Sequence, residues 1–419
     1  GLAGRSSPAL AMMRYAALLL CVLACVARGA EGRGPVLLIA LDGFRWDYLD
    51  RHPERTPNLS ALRREGVSAQ GLIPVFPTNT FPNLYTLVTG RYPARHGMVN
   101  NEFFDPTDGR FFRYIHPPSN RDPRWWGAEP IWITAVRQGV PAATALWVGA
   151  EAEIGGRRAT YWKPYDYRIP FAQRVDEVLG WLGRPASERP ALVAFYLEET
   201  NGVAHRFGPD SPELAAAVEL LDGHVATLLA RVRALGREPE VVVVSDHGMS
   251  ATHLDRALVL EDYLDLATVH VDTDGSVVTL RPREGADTAA ILRSLQRVPH
   301  ARAYRAEELP ERFQMRDNPR IAPLWLLPEP GWQVATRANL AASRKKYAEK
   351  GFLASDHGYD PAHPEMHGIF IAGGPSFRRG VTLPATENIH IYALLCALLG
   401  VTPAQNDGDD RLVQAALVR

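Results

Sequence analysis

Two runs of consecutive apolar residues in this chain end in a carboxylate. Val36–Leu41 is followed by Asp42-Gly43, and Val241–Val244 by Ser245-Asp246-His247-Gly248. A strand that is apolar at every position must be covered on both faces, as in a parallel sheet between two layers of helices. Sheets of this kind bind ligands beyond the carboxyl ends of their strands. The tetrapeptide Ser-Asp-His-Gly recurs at Ser355–Gly358. Asp and His together are ligands of the kind that hold zinc, so the pattern points to a metal-dependent hydrolase.

The rest of the chain fits this frame. Further strands are expected at Ala142–Trp147, Leu192–Leu197 and Gly368–Ala372. Helices are expected at Ile131–Gln138, Phe171–Leu182, Ser211–Leu235 and Ile389–Leu399. Thr56-Pro57 opens a helix through Arg64, with Thr56 as N-cap and Pro57 at its first position. Strands alternating with helices predict an α/β fold with a mostly parallel central sheet and helices on both faces. Residues 252–350 read as a small α+β insert, with a strand at Ser276–Leu280, a helix at Ala286–Val298 and a strand at Ala303–Arg305.

Composition excludes some functions. With 419 residues, 46% of them hydrophobic, the chain can build a large core. A formal net charge of −1 and the lack of a long basic run argue against duplex nucleic acid as a partner. Met12-Met13-Arg14 and the apolar segment Tyr15–Val26 read as a signal peptide, too short for a comfortable membrane span. Residues 1–30 are thus expected to be an upstream extension and leader, and residues 34–419 the catalytic domain. Of three cysteines, Cys21 and Cys25 lie in the leader, and only Cys396 remains for the mature chain. Export without disulfides suggests a periplasmic or secreted protein of bacterial type. Cys25 also allows lipoprotein anchoring.

A hydroxyl stands out in Phe76-Pro-Thr-Asn-Thr80-Phe-Pro-Asn-Leu-Tyr85. Pro82 suits a helix start and Gly90 its stop, which puts Thr80 just before the helix N-terminus, where an anionic phosphate is favoured. Taken alone, Thr80 reads more readily as an N-cap. His363 and His367 have helical metal spacing, but Pro364 between them indicates a loop.

These segments resemble, in order and spacing, the nucleotide pyrophosphatase/phosphodiesterase family of the alkaline phosphatase superfamily. The match runs through Leu41–Arg45, Pro77–Tyr85, Thr89–Pro93, His96–Asn101, Trp126–Trp132, Ser245–Met249 and His357–Asp360. The resemblance implies an alkaline-phosphatase-like three-layer fold and two Zn2+ ions. One would be held by Asp42, Thr80, Asp246 and His247, the other by Asn201, His205 and His357, with Asp356 outside the coordination sphere. Thr80 would attack phosphorus to give a covalent nucleotidyl-threonine, which water then hydrolyses. Asn101 would donate to a non-bridging phosphate oxygen.

One position departs from the family pattern. Asn201 stands where the family has Asp, four residues before His205. A neutral amide oxygen is a weaker zinc ligand than a carboxylate, so an impaired enzyme or binding protein is the alternative. Phe81 and Tyr165 match aromatics that sandwich a nucleobase in the nucleotide-cleaving members. Trp147 and Glu151 match further pocket positions. The expected partner is a small nucleotide or other phosphodiester; an aromatic pocket would also suit a lipid or choline phosphodiester, the alternative to a nucleotide. A sulfatase would need Cys or Ser and an Arg where this chain has Thr80-Phe-Pro-Asn-Leu84. Oligomeric state is not legible.

Overall fold

The computed structural model describes residues 34–418. The expected leader, with Cys21 and Cys25, lies outside them. Eight strands form the central sheet: β1 (Val36–Leu41), β2 (Val67–Ala69), β3 (Ala142–Ala145), β4 (Tyr161–Lys163), β5 (Leu192–Leu197), β6 (Glu240–Val244), β7 (Phe370–Gly373) and β8 (Val381–Leu383). Their order is β8-β2-β7-β6-β1-β5-β3-β4. Every pairing is parallel except those of β7, which runs antiparallel to β2 and β6. This is the mostly parallel, alkaline-phosphatase-like architecture expected from the sequence.

Strands β1, β5 and β6 are buried at every residue, which requires cover on both faces. Two helix groups supply it. In one, α1 (Pro57–Glu65) and the helices Phe171–Leu182 and Pro212–Arg233 pack together. In the other, α2 (Thr80–Thr89) packs with the helices Ile131–Arg137 and Ile391–Leu399. Cys396 is buried in the last of these.

Sheet register gathers the chemistry. Leu41 is level with Leu197, and Ala40 with Val244. The chain therefore leaves β1, β5 and β6 at one edge, where Asp42, Glu198 and Ser245 follow at once. The Ser-Asp-His-Gly copies meet there too, through a two-residue antiparallel ladder that pairs Ser250 with Asp356 and Ala251 with Ser355.

Beyond β6 the chain builds a separate four-stranded antiparallel sheet from Val269–Thr273, Val278–Pro282, Ala301–Arg305 and Leu324–Pro328, with the helix Thr288–Leu295. It has its own apolar cluster around Val278, Leu280, Ile291, Leu295 and Leu324.

Three local expectations need correction. Strand β3 ends at Ala145, short of Trp147, because Leu146 turns into the left-handed region at φ +66°. Thr56 holds the N-cap position of α1 without capping it; its hydroxyl donates to the His52 carbonyl instead. Helix α2 starts at Thr80 with Asn79 as the N-cap residue, so Thr80 lies inside the first turn.

Candidate active site

Asp42, Thr80, Asp246 and His247 converge on one buried point. His247 Nε2 lies 3.2 Å from Thr80 Oγ1 and 3.3 Å from both Asp42 Oδ1 and Asp246 Oδ2. The backbone fixes this geometry. Gly43, at φ +65°, donates its N–H to Asp246 Oδ1 at 3.1 Å. A side chain at Gly43 would press on Asn201 at 3.2 Å. His247 Nδ1 donates to the Gly248 carbonyl at 2.8 Å, which turns Nε2 toward the carboxylates.

A second group stands beside it. His205 Nδ1 donates to the Ser355 carbonyl at 2.8 Å, and His357 Nδ1 to the Thr78 carbonyl at 2.9 Å. Carbonyl partners of this kind orient imidazoles for metal binding. The His357 ring lies between the groups, stacked on His247 at 3.5 Å between centroids and 5.1 Å from His205. Asn201 and His205 share one face of α3 (Glu199–Phe207), four residues apart. Asp356 also comes within ligand distance of the two histidines. Its oxygens are engaged, however, by the His357 N–H at 2.9 Å and by Gln333 Nε2 at 2.9 Å, which suits a supporting role.

The donor set fits metal cations. Asp42 Oδ1, Asp246 Oδ2 and Asn201 Oδ1 are buried and accept no hydrogen bond, an arrangement that costs free energy unless a cation meets them. Burial and the neighbouring Asp42 push the Asp246 carboxyl up to about 8. Burial disfavours the charged His247 ring, but Asp246 and Asp42 outweigh it and raise the group to about 9. Burial, together with His247 and His205, holds His357 well below the ordinary imidazole range. Two buried carboxylates thus compete for positive charge.

Asn101 accepts the Phe81 N–H at 2.9 Å through Oδ1. With that oxygen engaged at the start of α2, the amide nitrogen remains as a donor. A cleft of about 1680 Å³ is lined by Asn101, Asn201, His205, His357, Tyr165 and Tyr114 among others.

The aromatic and pocket positions divide. Tyr165 is 46% exposed and lines the cleft. Phe81 is only 9% exposed and packs against Phe112 and Trp126. Trp147 is 1% exposed and donates its indole N–H to the Leu84 carbonyl, so it supports α2 from below. Glu151 is 8% exposed and holds the Tyr165 N–H at 3.3 Å and Arg121 Nε at 3.1 Å; it positions Tyr165 from behind. Their expected places in the pocket wall become supporting ones, because both side chains are already spent on the protein. His367 lies in a loop and bonds the Pro361 carbonyl.

Sequence reasoning missed Tyr196, whose phenol donates to Asp42 Oδ2, and Thr200, whose hydroxyl donates to the Asp42 carbonyl. It also missed Arg174, which binds Glu198 through two nitrogens at 3.0 and 2.9 Å and the Tyr167 and Ile169 carbonyls.

A family model for type I phosphodiesterase/nucleotide pyrophosphatase matches residues 36–360. The chain belongs to that family. It is 36% identical over 386 residues to human ectonucleotide pyrophosphatase/phosphodiesterase family member 1, covering 89% of this chain and 41% of the human one. It is also 36% identical to an uncharacterized pyrophosphatase/phosphodiesterase of Schizosaccharomyces pombe, of which it covers 78%. The chain thus spans less than half of the first relative. Murine ectonucleotide pyrophosphatase/phosphodiesterase 5 superposes with a TM-score of 0.84 at 33% identity, covering 92% of this chain and 100% of the murine one. An inactive Thr-to-Ala variant of the murine protein, in complex with AMP, gives 0.85. These relatives are eukaryotic and lend no support to the bacterial origin expected from cysteine usage.

Proposed function

We propose that this member of the family is a zinc-dependent phosphodiesterase acting on nucleotide phosphodiester or phosphoanhydride bonds. It would release nucleoside 5′-monophosphate through a phosphothreonine at Thr80. The observation that carries the reading is the placement of Thr80 Oγ1. It lies in the first turn of α2, 3.2 Å from His247 Nε2, beside two carboxylate oxygens that accept no hydrogen bond.

Zinc, when bound, would offset the phosphate charge and lower the pKa of the attacking hydroxyl. Asp42, Asp246 and His247 would hold one ion with Thr80, and Asn201, His205 and His357 the other. In the first step the Thr80 Oγ1–P bond forms as the bond from phosphorus to the leaving oxygen breaks. In the second, water adds to phosphorus and the Oγ1–P bond breaks, returning the hydroxyl. Asn101 Nδ2 would donate to a non-bridging oxygen, and the amide N–H groups at the start of α2 add partial positive charge.

A second reading, a lipid or choline phosphodiester, draws on the exposed apolar Ile115 at the cleft. Metal analysis combined with rates on p-nitrophenyl TMP, p-nitrophenylphosphorylcholine and p-nitrophenyl phosphate tests both. Two zincs per chain and fastest cleavage of the TMP ester are expected. Fastest cleavage of the choline ester would replace the nucleotide reading, and a preference for the monoester would sink both. The same proposal places the protein outside the cytoplasm, on the strength of Tyr15–Val26 alone. N-terminal sequencing of the mature chain tests it; retention of Met12 would contradict a cleaved leader.

A further inference from the structure

The two candidate metal groups differ in charge. The first has two bare carboxylate oxygens, Asp42 Oδ1 and Asp246 Oδ2. The second has two imidazoles and the neutral Asn201 amide, since the oxygens of Asp356 are taken by the His357 N–H and by Gln333. Asn201 Oδ1 is nevertheless buried with no hydrogen-bond partner. It lies against the Asp42-Gly43 turn, 3.3 Å from where a Cβ on Gly43 would stand. A neutral oxygen held bare beside two histidines is a weaker donor to a cation than the carboxylates of the first group.

Packing gives no reason for the residue that follows to be glycine. Gly202 lies within α3, where glycine weakens a helix relative to alanine. It is exposed, and a Cβ there would meet nothing within 4 Å. Chemistry gives a reason. The backbone nitrogen after an asparagine can attack the side-chain carbonyl of that asparagine, and a glycine leaves this nitrogen unhindered. No other asparagine in the chain precedes a glycine. Asn201 and Gly202 both line the cleft, where water has access to them. A helical backbone holds the nitrogen away from the side chain. The attack therefore belongs to the unfolded chain or to openings of the first turn of α3, which a glycine favours.

We propose that Asn201-Gly202 is a self-modification site, at which deamidation turns Asn201 into an aspartate and gives the second metal group its carboxylate. The Gly202 nitrogen attacks Asn201 Cγ and a C–N bond forms. The side-chain nitrogen leaves as ammonia, taking the proton from Gly202. Water then adds to Cγ and the new C–N bond breaks, which restores the Gly202 N–H. The net change is one water in and one ammonia out. Water adding to the backbone carbonyl instead gives a β-linked aspartate, whose extra main-chain carbon would displace His205 one helical turn on. Only the α-linked product keeps position 201 and His205 on one helix face. Its charge, in the first turn of α3, also meets the positive end of the helix.

The proposal rests on the two-ion reading above. Its test incubates the zinc-free parent chain and Gly202→Ala, which should fold at least as well, in mildly alkaline buffer. Peptide mass mapping with electron-transfer fragmentation reads position 201 as amide, α-linked acid or β-linked acid. Anion exchange separates the acid form, and each form is titrated with zinc against a chromophoric chelator. The parent should convert at position 201 before any other asparagine and yield α-linked acid, while Gly202→Ala keeps its amide over the same period. The α-linked form should hold its second zinc about tenfold or more tighter than the amide form. An amide that persists in the parent, a Gly202→Ala chain that converts as fast, or a product that is β-linked alone overturns the proposal. So does an α-linked form that holds both ions no more tightly than the amide form. A chain that takes up no second ion in either form removes the two-ion reading together with the proposal.

Discussion

The Tyr196 phenol donates to Asp42 Oδ2 and leaves Asp42 Oδ1 bare, 3.3 Å from His247 Nε2. One carboxylate oxygen is thereby spent on orientation and the other kept for a cation. Outer partners of this kind typically change metal affinity 10- to 100-fold. Tyr196→Phe is expected to weaken zinc binding by about tenfold or more in competition with a chromophoric chelator. Unchanged affinity would mean that β1 and the Thr200 contact alone set the carboxylate.

Asn201 Oδ1 is buried without a hydrogen-bond partner on the same helix face as His205. A neutral oxygen there leaves the second group one negative charge short of the pattern that the family resemblance implies. Asn201→Asp should tighten zinc at the second proposed site by about tenfold or more, since opposite charges in contact are worth several kcal/mol in a protein environment. Metal stoichiometry at limiting zinc reads this directly. A variant with weaker metal binding would show that Asn201 faces away from the ion.

His96 gives a pH prediction outside the metal groups. Its Nδ1 accepts the Met98 N–H at 3.1 Å, so its Nε2 must donate to Thr86 Oγ1 at 3.0 Å. The bond accepted by Nδ1 needs the neutral ring, and burial pushes the group down to about 3. The unfolded chain takes up this proton near 6.5 while the folded chain resists it. The contribution to stability is therefore complete above pH 6.5 and lost as pH falls toward 3, by about 1.4 kcal/mol per pH unit. Urea unfolding at pH 5 and 7 should show a smaller pH difference in His96→Asn than in the parent. Equal differences would contradict the buried neutral histidine.

Much of this was legible in the sequence because it depends on short-range pattern. The apolar runs at Val36–Leu41 and Leu192–Leu197 become strands with those same limits, and each delivers acidic residues at its end. What escaped involves residues brought together by folding. Tyr196 lies within a continuous apolar strand, and nothing local marks its hydroxyl as bound for Asp42, 154 positions away. Trp147 and Glu151 sit close to the site along the chain, yet their polar atoms bind the protein itself. Pro82 as a helix start leaves Thr80 just outside α2, whereas Pro82 occupies the third helical position, where a missing N–H is still tolerated.

The central claim is that Thr80 carries the phosphoryl group. Its most direct test compares the parent chain and Thr80→Ala in the hydrolysis of p-nitrophenyl TMP with zinc present, with the mass of acid-quenched protein taken during turnover. The parent should cleave the diester and carry a thymidylyl adduct on Thr80. Thr80→Ala should lose about a thousandfold or more in rate and carry no adduct. A Thr80→Ala variant that keeps full activity would contradict the account.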